Sequence, residues 1–121
     1  MRTRPDQIAH VSLPSGQVDV DEAGYLTDPG HWSPDFAKHV AALEGLTLGA
    51  DHWQVLTFMR AYLEEHGVAA DARFVMKFLA ETHATDKAGS RRILFELFPY
   101  GYVKQACKMA GMKQPRAWST G

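Results

Sequence analysis

From Ser33 onward, glycine and proline cut the chain into short stretches, and within each stretch apolar residues recur at helical spacing. Ser33-Pro34 supplies an N-cap residue followed by proline at the first helical position. Phe36, His39, Val40 and Leu43 follow at helical spacing, and Gly45 closes the segment. A second helix is predicted from about Ala50 to His66, stopped by Gly67, with Trp53, Leu56, Met59 and Leu63 inward and Val55 and Tyr62 beside them. A third runs from about Asp71 to Thr82 with Phe74, Val75, Phe78 and Leu79 inward. Thr85 to Gly89 reads as a loop, and Ser90 as the cap of a fourth helix carrying Ile93, Leu94, Leu97 and Phe98. Pro99-Tyr100-Gly101 breaks that helix. A last one, about Tyr102 to Ala110, ends at Gly111, a natural left-handed position.

The N-terminal part carries a different period. Between Ala9 and Val20, Val11 and Leu13 share a phase, as do Val18 and Val20, around Pro14-Ser15-Gly16, which predicts a β-hairpin. Asp28-Pro29-Gly30 is a turn. The fold class expected is therefore mostly α with a small N-terminal β-hairpin (α+β), a compact helical bundle. A chain of 121 residues reads as a single domain, 1–121, able to bury about two-thirds of its unfolded surface. Residues 1–7 read as a loose tail. Residues 112–121, with Pro115 and no periodic apolar face, read as a flexible C-terminal arm. No apolar run approaches the roughly 18–20 residues of a membrane span, and no apolar stretch backs the N-terminus as a secretory signal would. A lone cysteine, Cys107, cannot close an internal disulfide and fits a reducing, cytoplasmic setting.

The net charge of −1 conceals an asymmetry. Residues 1–86 hold six Lys/Arg against thirteen Asp/Glu, whereas Lys87, Arg91, Arg92, Lys104, Lys108, Lys113 and Arg116 face only Glu96 in the last third. Either folding lets the two parts neutralise one another, or the basic third meets an anionic partner.

The only thiol lies in that basic third. Val103, Cys107 and Ala110 share a face at α-helical spacing, so Cys107 can be a small buried hydrophobe. If it reaches solvent, Lys104 and Lys108 favour the thiolate. The six histidines form no H-x-x-x-H or H-E-x-x-H pair and Cys107 has no C-x-x-C mate, so no metal site is expected, and no cofactor. No serine sits in a G-x-S-x-G elbow, and no phosphate loop or dinucleotide fingerprint occurs. The second and third helices have helix-turn-helix length, with Arg73 and Lys77 on the later one. The acidic balance of residues 1–86 argues against nucleic acid.

Taken together the residues resemble the DsrC/TusE family of sulfur-relay proteins, over about Val18 to Pro115. The anchors are Asp21-Glu22-Ala23-Gly24-Tyr25-Leu26, Trp32, His52-Trp53-Gln54-Val55, Phe58-Met59-Arg60, Arg73, Leu97-Phe98-Pro99-Tyr100-Gly101 and Lys104 through Met112. The resemblance implies a mostly helical domain with an N-terminal hairpin and a C-terminal arm. It implies chemistry at two cysteines: a penultimate one on the arm that takes up persulfide sulfur, and an inner one eleven residues earlier. Cys107 aligns with the inner one. The arm position holds Trp118, and the family's proline after the glycine of Pro-x-Gly-Pro is Tyr102.

An indole carries no persulfide, so three functions are weighed. In the first, Cys107 itself binds or senses sulfane sulfur. In the second, the chain is a non-carrier regulatory or interaction paralogue docking through its arm, with Trp118 as an aromatic anchor. In the third, the least supported, it is a DNA-binding regulator using the second and third helices. Lys104, Lys108, Lys113, Arg116 and Trp118 are the expected partner contacts. The resemblance suggests DsrEFH- or TusBCD-like sulfurtransferase proteins or a sulfite reductase as partners, and a carrier or regulator rather than an enzyme. If an enzyme, the chain would be a sulfurtransferase.

Overall fold

In a computed structural model, residues 8–113 of the 121 are described. Strand β1 (Ala9–Leu13) pairs antiparallel with β2 (Gly16–Val20) in the register Ala9↔Val20 to Leu13↔Gly16. Pro14 and Ser15 form the connection. Val18 and Val20 are buried beneath the hairpin, as their shared phase requires. The Asp21 carboxylate then accepts the Ala23 and Tyr25 amides at 2.9 and 3.0 Å, turning the chain so that Tyr25 and Leu26 enter the core.

Four α-helices come next: α1 (Pro34–Glu44), α2 (Ala50–His66), α3 (Ala72–Thr82) and α4 (Lys87–Leu97). Pro34 opens α1 as expected, but Ser33 does not cap it; its hydroxyl pairs with that of Ser15 at 3.0 Å, tying the helix start to the hairpin turn. On α2 the buried residues are Val55, Leu56 and Met59, with the predicted Trp53 and Leu63 only partly covered at the edge. On α3 only Val75 and Leu79 are buried. Phe74 is exposed and Phe78 packs against the rim of the core, and the two form a seam with α2, Phe78 stacked on Phe58 at 4.6 Å and Phe74 on Tyr62 at 5.5 Å. A helix of eleven residues packed on one side buries a narrow stripe, and both phenylalanines sit at its margin.

Helix α4 begins earlier than its sequence suggests. Asp86 is the cap, its carboxylate accepting the Gly89 amide at 2.8 Å. Ser90 lies inside the helix, buried, donating to the Lys87 carbonyl at 2.8 Å. Gly89 is therefore no loop residue: a Cβ there would meet Thr85 Oγ1 at 2.0 Å, so it permits close packing within the turn.

The last helix, α5 (Tyr102–Cys107), is wound as a π-helix and continues helically to Met109. It is buried nearly all round, through Tyr102, Gln105, Ala106, Cys107, Met109 and Ala110. It ends in a Schellman motif: Gly111 at φ +78° donates to Lys108 at 3.1 Å, and Met112 donates to Cys107 at 3.0 Å. Met112 is 1% exposed, so the arm expected from residue 112 does not begin there; the hydrophobic contact of the motif holds Met112 in the core. No helix among the described residues is long and apolar enough to cross a membrane.

Candidate functional site

Cys107 is the one cysteine of the chain, and it is buried at 1% exposure. Val103, Cys107 and Ala110 all pack in or against the core, as their shared face predicts, and Tyr102 and Gln105 are buried on the same helix. Burial pushes the Cys107 thiol up to about 12, with the Tyr102 hydroxyl beside it pulling the other way. That hydroxyl also donates to the Ala70 carbonyl. Its own ionisation is pushed well above the usual tyrosine value, first by burial and then by Cys107. The neighbouring lysines do not offset this. Lys104 is exposed, and Lys108 lies with Nζ 5.1 Å from the Tyr25 ring. The thiolate that their ammoniums would favour in solvent is disfavoured in the core.

Four side chains fix α5 and the chain on either side of it. Trp32 Nε1 donates to the Met109 carbonyl at 2.7 Å. Arg60 donates to the Ala110 carbonyl at 3.0 Å and to that of Pro29 at 2.8 Å, its guanidinium 4.9 Å from the Trp32 ring centroid. Two carbonyls left open by the helix end are thus satisfied by side chains from other parts of the chain. Burial lowers the Arg60 pKa, with Glu64 opposing. Gln105, fully buried, donates to Glu44 Oε1 at 3.0 Å and accepts the Tyr100 amide at 2.9 Å. His52 Nδ1 accepts the Gly49 amide at 3.1 Å and its Nε2 lies 2.9 Å from the Leu97 carbonyl. A carbonyl can only accept and an amide only donate, so His52 is the neutral Nε2–H tautomer, bracing the end of α4.

Trp32, His52 and Arg60 were legible as anchors of the resemblance but not as a clamp, because no local pattern links residue 32 or 60 to residue 110. Of the expected partner contacts, Lys104 and Lys113 are exposed and Lys108 half-buried, and none forms an ion pair with another described residue. Arg116 and Trp118 lie outside the described residues. Among the described residues no group of three His, Cys, Asp or Glu side chains converges as a metal site would need.

The sequence profile described as DsrC like protein matches residues 13–117. The chain is 39% identical over 99 residues to the sulfurtransferase TusE of Sodalis glossinidius, covering 82% of this chain and 91% of that protein. A TusE of Yersinia pestis is likewise 39% identical, over 98 residues covering 81% and 89%. Among solved structures, DsrC of Allochromatium vinosum superposes with a TM-score of 0.78 at 34% identity, covering 91% of this chain and 97% of that one.

Proposed function

This chain belongs to the DsrC/TusE family of sulfur-relay proteins, and from that premise we propose that it acts as a partner-binding member that does not shuttle persulfide on an exposed thiol. The observation that carries this reading is the burial of Cys107. A sulfur carrier must present a thiolate to donor and acceptor in turn, and this thiol is out of solvent with its ionisation disfavoured. The position that the family's arm cysteine would take holds Trp118.

Partner binding is the part of the relay that such a chain retains. The similar proteins include a sulfurtransferase and, at 31% identity, a chain in the crystal structure of dissimilatory sulfite reductase I. DsrEFH- or TusBCD-like sulfurtransferase proteins, or a sulfite reductase, are accordingly the partner class. Contact runs through Lys104, Lys108, Lys113 and Arg116, with Trp118 as aromatic anchor, in a cytoplasmic setting. A second reading, in which Cys107 takes up sulfane sulfur when α5 opens, draws support from the Tyr102 hydroxyl beside it, whose proton could turn from the Ala70 carbonyl to the thiolate.

Intact-mass spectrometry after exposure to polysulfide, and separately to a persulfide-loaded TusBCD-type complex, divides the two. The first reading expects no added sulfur, together with calorimetric binding to the complex that Trp118→Ala weakens and Cys107→Ser leaves alone. Sulfur gained from the donor and absent in Cys107→Ser would overturn it in favour of the second.

A further inference from the structure

We propose that the cavity between α3 and α4 binds a small amphiphilic anion, a charged head carried on a compact apolar body. The cavity encloses about 520 Å³, within the roughly 300–1,000 Å³ of small-molecule sites. Met76 and Leu94 supply apolar wall, and Phe95, 50% exposed, leaves a large ring in water beside the open space. Cations line the same cavity: Arg73 from α3, and Lys87 and Arg91 four residues apart on one side of α4.

The two charges on α4 are available to a ligand. Neither Lys87 nor Arg91 pairs with a described carboxylate. The one carboxylate lining the cavity, Asp71, is engaged at the cap of α3, accepting the Arg73 amide at 2.9 Å and Arg73 Nε at 3.2 Å. Three cations against one committed anion leave the cavity positive. An uncharged apolar ligand would leave that charge unanswered, and an inorganic anion would leave Phe95 in water. One ligand satisfies both only by carrying both features. Tyr102 lines the cavity as well, and its hydroxyl is the group beside the Cys107 thiol, so the ligand would share a wall with the thiol. The proposal does not depend on which partner the chain binds.

Fluorescence titration of the full chain with anilinonaphthalene sulfonate tests it. The expected result is saturable one-to-one binding that weakens about tenfold when Lys87 and Arg91 are both replaced by glutamine. Arg92→Gln, next in sequence but outside the cavity, should leave it unchanged. All three positions are exposed on α4, so the variants should fold, and circular dichroism checks this. Octanesulfonate should compete, whereas sulfate and octanol at equal concentration should not. Undiminished binding by the double variant overturns the proposal. So does competition by sulfate alone, or loss of binding in Thr57→Lys, which alters the separate groove between α2 and α3.

Discussion

Alkylation of Cys107 is the most direct check on the burial argument. An ordinary thiol at the reference value of 9.0 is about one-tenth thiolate at pH 8, whereas one at about 12 is thiolate in about one molecule in ten thousand. Ionisation alone therefore leaves about a thousandfold less thiolate than in the unfolded chain, and the thiolate is the nucleophile. Steric cover at 1% exposure slows iodoacetamide further, so reaction proceeds through opening of α5. The assay compares pseudo-first-order alkylation in native buffer and in concentrated urea, read by intact mass. The expected outcome is a native rate at least about a thousandfold lower, released steeply through the unfolding transition. A native rate within about tenfold of the unfolded one would refute the reasoning and reopen Cys107 as an accessible sulfur acceptor.

Gly111→Ala forces an L-residue to φ +78° and puts a Cβ 2.5 Å from Trp32 Cδ1; urea unfolding should show a loss of about 3 kcal/mol from left-handed backbone strain plus repacking. Arg60→Lys should cost about 2 kcal/mol by the same measurement, since a single ammonium cannot fork to the Ala110 and Pro29 carbonyls; retention of full stability would show that the clamp is idle. Alkaline pH should also destabilise the fold: the folded Cys107 pKa is raised, so its contribution is complete below about 9 and is lost as pH rises towards about 12, at up to about 1.4 kcal/mol per pH unit. Tyr25, pushed up to about 12 chiefly by burial, adds to the fall above pH 10. Cys107→Ser should flatten the part between pH 9 and 10, and an unchanged stability profile in that variant would place the titrating group elsewhere.

Where a helix boundary is set by backbone sterics, the sequence carries it. Pro34, Gly45 and Gly67 mark helix ends in the structure because ring closure and positive φ act locally. The boundary at α4 was hidden because Gly89 is needed for its closeness to Thr85, a tertiary reason that looks identical in sequence to a breaker. Phe74, expected inward, is exposed for a related cause. Hydrophobicity identifies a residue that prefers cover but not which neighbour supplies it, and here Tyr62 on α2 supplies it for Phe74 at the rim of the core.

The site was legible as an inventory and not as an arrangement. The basic last third is one run in sequence, yet folding distributes it: Lys87 and Arg91 join Arg73 at the α3–α4 cavity, while Lys108 lies over Tyr25 and Lys104 is exposed on α5. Helical spacing offered two fates for Cys107, core or reactive surface, and could not choose because burial is decided by what the rest of the chain packs against that face. The wide π turns leave the helix buried nearly all round, with Tyr102 and Gln105 inward as well as Cys107, and Val103 packed against the core. Buried polar groups on such a helix must find partners at a distance, and they do: Gln105 reaches Glu44, Tyr102 reaches Ala70, and the helix end is met by Trp32 and Arg60. Those contacts hold the thiol inside, so any sulfur chemistry at Cys107 requires breaking them. Docking to a partner through exposed residues does not, which is why the burial of one sulfur atom weighs more in assigning a function than the cations around it.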